Sequence, residues 1–245
     1  MDSGYYAATA ALIARTQALD TISNNLANAS TTGFRASHNL FRSMLANSDG
    51  AELSVVNQDA NDYGVLAGTN LDTSQGALIE TGNELDLAME GPGYFEVQTS
   101  SGMAYTRGGS FRVSPAGQLV TAAGDPLIGD NGPISIVGQP VSISEDGTIT
   151  INGAIAGHLK QVEFPAGTQI DSAGKGYFTA PVNAGVPATQ SNVRQGKLES
   201  SNVNPLNSVI ELISAQREFD TMRQALSLFS TQMDKTAVTE LPRIS

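Results

Sequence analysis

The chain has 245 residues, 40% of them hydrophobic, which is enough apolar material for a buried core and enough length for one large or two medium domains. It contains no cysteine, which excludes disulfides, thiolate metal sites and a cysteine nucleophile, and no apolar run approaches the roughly 20 residues of a membrane span. The formal net charge of −11 belongs to the middle: residues 1–46 hold three basic and two acidic side chains, residues 197–245 hold five and six, and the remainder holds five basic against sixteen acidic. No basic patch of the kind that binds nucleic acid is present, so neither nucleic acid nor membrane insertion is expected. An acidic middle between near-neutral ends reads as a mutually repelling body whose ends pack together.

The N-terminal stretch carries Tyr5, Ala8, Leu12, Leu19, Ile22 and Leu26 at alternating three- and four-residue steps, with Arg15 as the polar interruption. This narrow seam predicts a helix that buries its stripe against other helices. Asp2 or Ser3 can cap it, and the run stops near residues 28–33, where Asn28, Ser30, Thr31, Thr32 and Gly33 favour a turn. No secretory signal is read here, because Asp2 follows Met1 and the first positive charge, Arg15, comes after the apolar stretch. Near the end of this helix Asn24, Asn25 and Asn28 are poor helix formers with strong hydrogen-bonding demands. They read either as a fraying helix end or as amides that meet neighbouring subunits.

Residues 47–75 are rich in Asn, Asp, Ser and Gly and read as an extended connector. From about 76 to 196, short Val/Ile/Thr/aromatic runs alternate with turn signals. Tyr94-Phe95-Glu96-Val97 follows Gly91-Pro92-Gly93, and Phe111-Arg112-Val113 and Leu119-Val120-Thr121 flank Ser114-Pro115-Ala116-Gly117. Val141-Ser142-Ile143 and Thr148-Ile149-Thr150-Ile151 alternate strictly, with a further turn at Asn152-Gly153. Period-two alternation with Gly at the turns predicts antiparallel sheet. At the C-terminus Asn204 and Pro205 start a second helix whose seam runs Leu212, Ala215, Phe219, Met222, Leu226, Phe229, Met233 and which ends before Pro242. The fold class is therefore α+β: residues 1–46 and 197–245 form a terminal domain of helices paired in coiled-coil fashion, and residues 76–196 form an outer β domain.

Motifs that would carry chemistry are weak. His38 and His158 are far apart and lie in no ligand spacing. Gly174-Lys175-Gly176 lacks the rest of a phosphate loop, and Asp59-Ala60-Asn61-Asp62 lacks the Gly and Glu of a calcium loop. No catalytic, cofactor-binding or metal residue is expected, and the chain reads as an assembly subunit and not an enzyme. A glycan- or peptidoglycan-binding β module is the alternative reading.

The segment Asn24-Asn25-Leu26-Ala27-Asn28, followed by Ser30-Thr31-Thr32-Gly33-Phe34-Arg35, resembles the N-terminal signature of bacterial flagellar rod and hook proteins. The resemblance continues through Leu85-Asp86-Leu87-Ala88, Gly91-Pro92-Gly93-Tyr94-Phe95, Tyr105-Thr106-Arg107 and Gly117-Gln118-Leu119-Val120-Thr121, and closes on Glu199-Ser200-Ser201-Asn202-Val203-Asn204. Gly108 departs from the Asn or Asp usual in that family, and a looser local turn is expected there. Length and the Met1-Asp2 start are most similar to proximal-rod members, with a distal-rod member as the alternative. The resemblance implies a subunit exported by the flagellar type III apparatus without a cleaved signal peptide. It implies helical assembly with copies of itself and other rod proteins in the periplasmic part of the basal body. The expected subunit interface comprises Leu12, Leu19, Ile22, Asn24, Asn25, Leu26, Asn28, Phe34, Leu212, Phe219, Met222, Leu226, Phe229 and Met233.

Overall fold

The computed structural model describes residues 2–42, 65–136 and 140–240. The chain divides into two compact units, one of residues 1–26, 37–70 and 205–245 and the other of residues 27–36 and 71–204. Residues 27–36 and 197–204, expected with the terminal helices on sequence pattern, thus lie in the β unit. Most of the connector expected at 47–75, including Asp59–Asp62, lies outside the described residues; Val65–Leu71 is a strand paired with Ser37–Arg42.

The helical unit holds α1, Asp2–Ala27, and α2, Pro205–Glu240. Helix α2 starts on the proline because a missing N–H costs nothing in the first turn, where no intrahelical acceptor exists. On α1 the buried stripe is Ala11, Ala14, Ala18 and Asn25. The expected seam residues Leu12, Leu19, Ile22 and Leu26 are half-buried beside it, one position round the helix. Small alanines make up most of the buried line, and the larger leucines flank it.

On α2 the least exposed of the described side chains lie along one line. Ala215 is buried, Leu212, Phe219, Met222 and Leu226 are half-buried, and Ser208 extends the line backwards. The side chains of Tyr5, Ala8, Phe229 and Met233 lie outside the described residues. Arg15, the break in the α1 seam, reaches α2 and pairs with Glu218 at 2.8 Å. Both partners are about half exposed, so the pair contributes roughly 0–1 kcal/mol. A different strip of α2, formed by Leu206, Ile210 and Ile213, is exposed. Near its end α1 holds the Ser37–Arg42 strand: Thr21 Oγ1 donates to Asn39 Oδ1 at 3.0 Å and Asn39 Nδ2 to the Gln17 carbonyl at 3.3 Å.

In the β unit every paired strand with a described register is antiparallel. The main sheet has the order Asp171–Gly174, Tyr177–Thr179, Gly102–Thr106, Tyr94–Thr99, Gln161–Glu163, Val186–Pro187. A second sheet runs Val141–Ile143, Thr148–Ile151, Ala154–His158, closed by a turn in which Asn152 and Gly153 both take positive φ, 51° and 82°. That is the mirror-image turn whose twist matches a tight hairpin, and Asn-Gly is the pair that tolerates it. The hairpin Phe111–Val113 with Leu119–Thr121 also forms as expected. The main core of the unit has Leu87, Met89, Phe95, Leu119, Leu127, Ile149 and Leu159 wholly buried and Phe95 edge-on to Phe111 at 5.5 Å.

Two further short strand pairs tie together the two ends of the β unit: Leu87–Glu90 with Asn192–Gln195, and Leu78–Glu80 with Lys197–Glu199. They bring residues just before α2 against the start of the unit.

The buried Tyr177 hydroxyl lies 2.7 Å from Thr121 Oγ1 and donates to Asp125 Oδ2 at 2.7 Å. Burial pushes it up to about 12; the Thr121 hydrogen bond opposes this and the Asp125 carboxylate adds to it. A folded-state value above the ordinary 10.0 means that its contribution is whole below about pH 10 and is lost as pH rises through about 12. Tyr177→Phe should therefore flatten the alkaline fall in the urea midpoint. Equal slopes for the two proteins would show that the hydroxyl ionises without cost to the fold.

Candidate assembly junction

Past Ala27 the chain turns sharply. Thr31 donates through N to the Asn28 carbonyl at 3.0 Å and through Oγ1 to Asn28 Oδ1 at 3.2 Å, so Asn28 finishes the helix with its own side chain. Gly33 follows with φ +69°, its N–H donating to the Glu199 carbonyl at 2.8 Å. A Cβ here would lie 2.2 Å from the carbonyl carbon of Arg107, so only glycine lets these two main chains touch. Gly76 and Gly109 meet backbone in the same way: an added Cβ would lie 2.0 Å from the Ser200 carbonyl oxygen and 1.5 Å from that of Leu87.

These contacts deliver three charged side chains to one buried point. Arg35 Nη2 lies 2.7 Å from Glu199 Oε1, with both side chains 0% exposed. Glu199 Oε1 also accepts from the Gly76 N–H at 2.8 Å, and Oε2 pairs with Arg107 Nη1 at 3.2 Å. Arg107 donates further to the carbonyls of Met89 at 3.2 Å and Gly91 at 2.6 Å, and its guanidinium lies 4.8 Å from the centre of the Tyr94 ring.

Two cations thus share one carboxylate. Burial pulls Arg107 below the ordinary arginine range; Glu199 opposes this and Arg35 adds to it. Arg35 Nε and Nη1 and Arg107 Nε are buried without a hydrogen-bond partner among the described residues. Such a cluster adds little net stability over apolar packing, but it admits a single arrangement of the segments that supply it.

Beside it Asn202 uses its whole amide: Oδ1 accepts from Ala36 N at 2.8 Å, and Nδ2 donates to the carbonyls of Asp72 at 3.0 Å and Ser74 at 3.1 Å. Phe34, Ala36 and Val203 form a small apolar cluster against Ala29. The last residues before α2 are therefore bound to the first residues after α1.

Two expected interface residues are committed within the chain. Phe34 is buried in that cluster, because an aromatic ring flanked by Gly33 and Arg35 is drawn in with them. Asn25 is buried, donating from Nδ2 to the Ser37 carbonyl at 2.8 Å and accepting from Ser37 N at 3.0 Å, so its amide is spent on its own strand. Asn24 is exposed and Asn28 half-buried. Nor is the Gly108 turn loose: its N–H donates to Thr106 Oγ1 at 3.0 Å, and Thr106 Oγ1 donates on to the Gly176 carbonyl at 2.9 Å. Among the described residues no cluster of His, Asp or Glu could hold a metal ion.

Arg35, Arg107 and Glu199 lie inside the family-like motifs, but sequence pattern did not single them out. The available signal was an arginine within two residues of glycine in each of two segments, Gly33-Phe34-Arg35 and Arg107-Gly108-Gly109, in surroundings otherwise apolar or small.

This geometry defines a class: a subunit whose two ends leave a β body from one charge-locked root. Family models match at that root, as "Flagella basal body rod protein" over residues 6–35 and "Flagellar basal body rod FlgEFG protein C-terminal" over residues 194–238. Between them "Flagellar hook protein FlgE/F/G D1 domain" matches residues 88–151. The chain is 30% identical to the flagellar basal-body rod protein FlgF of Caulobacter vibrioides, covering 100% of both chains. It is 34% identical to FlgF of Salmonella typhimurium over 93% of this chain and 94% of that one. To the rod protein FlgG of Bacillus subtilis it is 33% identical over 83% and 86%. The chain belongs to the flagellar basal-body rod protein family.

Glu199→Gln leaves two buried guanidiniums without a counter-charge and should lower the stability of the β unit by about 3–5 kcal/mol in urea titration. Arg35→Met leaves a one-to-one pair of Glu199 with Arg107 and should cost about half of that or less. Equal losses would remove the carboxylate from its place at the centre of the cluster.

Proposed function

We propose that the chain is a structural, non-enzymatic subunit of the flagellar rod that assembles helically with copies of itself and other rod proteins. In this reading the two helices pair as a coiled coil and form the inner tube around the export channel, and the acidic β unit faces outward in the periplasm. The subunit arrives through the flagellar type III apparatus with its N-terminus in place. Full-length similarity to FlgF, with a shorter match to FlgG, favours the proximal rod.

The observation that carries this reading is the state of the helices in a single chain. Leu206, Ile210 and Ile213 are open to solvent and Leu212, Phe219, Met222 and Leu226 are only half-buried, an apolar surface of the kind that marks an interaction site. Leu12, Leu19, Ile22 and Leu26 on α1, with Asn24 and Asn28 at its end, supply the facing surface.

Phe219→Asp should abolish rod assembly while leaving the melting of the β unit unchanged, because a charge in an apolar contact costs several kcal/mol per subunit. Intact rods from cells carrying only this variant would refute the seam. A β fragment lacking both helices that still bound peptidoglycan would favour the module reading instead.

A further inference from the structure

The sequence contains two Asn-Gly pairs, Asn131-Gly132 and Asn152-Gly153, and the fold treats them differently. In such a pair the glycine nitrogen can attack the side-chain amide carbon of the asparagine, because glycine has no Cβ to crowd the approach. Both asparagines are exposed, so the difference lies in how each glycine nitrogen is used.

At the first pair, Asn131 is the second turn residue between Ile128–Gly129 and Gly132–Pro133, and Gly132 is already strand, opposite Gly129. Its nitrogen stands where a hydrogen bond closes a two-residue turn. At the second pair, Asn152 and Gly153 are themselves the turn residues between Thr148–Ile151 and Ala154–His158, and the closing position falls to Ala154. The Asn152 N–H donates to the Pro140 carbonyl at 3.3 Å. Among the described residues neither the Gly153 N–H nor the Asn152 side-chain amide has a hydrogen-bond partner. A Cβ added at Gly153 would meet nothing within 4 Å, so the tip is open on every side.

We propose that Asn152 is a site of spontaneous, non-enzymatic modification through Gly153. The Gly153 nitrogen gives up its proton to solvent and bonds to Asn152 Cγ; the Cγ–Nδ2 bond breaks and ammonia leaves, closing a succinimide ring. One water then opens the ring. Addition at Cγ yields an aspartyl residue, and addition at the main-chain carbonyl yields an isoaspartyl residue whose main chain runs through Cγ. Nothing is oxidised or reduced. The attack requires Asn152 to leave its turn conformation, φ 51°, and an exposed hairpin tip is where such local opening costs least.

The two products act differently on the hairpin. An aspartyl-glycine pair tolerates the same positive-φ turn, so that product keeps the strands in register and adds a negative charge. The isoaspartyl product lengthens the turn by one backbone carbon, and the register it disturbs is the one that buries Ile149 in the core.

The test ages the purified full-length chain at mildly alkaline pH and locates the amide-to-acid mass gain by fragment mass spectrometry. Position 152 should convert about fivefold faster than position 131, the factor that one closing hydrogen bond corresponds to, and faster as pH rises. In urea, with both turns lost, the two positions should convert at equal rates. Conversion at 131 as fast as at 152 in the folded chain, or no conversion at 152 while the unfolded chain converts, would overturn the proposal. As a second arm, Asn152→Asp should unfold at the wild-type urea midpoint, and aged chain enriched in the isoaspartyl form should unfold at a lower one. Equal midpoints for all three would overturn the effect on the hairpin.

Discussion

The whole arrangement depends on the buried carboxylate of Glu199 held between two guanidiniums. Arg35 arrives eight residues after α1, Glu199 stands six residues before α2, and Arg107 belongs to the β unit. In a low-dielectric interior an unpaired charge is far more costly than any local apolar contact is favourable, so the three side chains must meet or the segments cannot be buried at all. Chain order then has its consequence: the first and last parts of the sequence, remote along the chain, are forced through one place. Asn202 and the Phe34 cluster consolidate that crossing with ordinary hydrogen bonds and packing.

The two ends leave this crossing as long helices with more apolar surface than a single chain covers. A subunit of this kind keeps part of its interior for its neighbours. Its β unit, by contrast, closes its own core around Phe95, Leu119 and Ile149 and needs no partner to do so. The helices themselves are nearly neutral, α1 carrying a net charge of −1 and α2 of −2, while the β unit carries −6.

Much of this was legible in the residues. The hairpins at Asn152-Gly153 and Ser114–Gly117 were readable because Gly and Asn supply conformations that few residues tolerate, and because alternation marks the buried face. Pro205 and Asn204 marked the start of α2 for equally local reasons. The α1 stripe was less visible: periodicity weighs large apolar residues, whereas the most buried positions on this helix are Ala11, Ala14 and Ala18. The crossing itself was hidden, since hydrophobic pattern cannot show that Arg35, Glu199 and Arg107 are buried together across 164 positions of sequence. Nor could pattern show that Asn25, read as part of a fraying helix end or as an amide that meets a neighbouring subunit, would bracket the Ser37 backbone of its own chain.

The three glycines at the crossing have a mechanical consequence. Where Gly33 meets Arg107, Gly76 meets Ser200 and Gly109 meets Leu87, main chain rests directly on main chain with no side chain between. Side chains yield to load by changing rotamer, with displacements of ångströms at little cost; peptide groups in contact yield only by bending bond angles and dihedrals, with a steeply rising cost. A load applied to this part of the β unit therefore meets contacts that cannot give by a change of rotamer, so the segments that enter and leave the unit are held to each other stiffly within it.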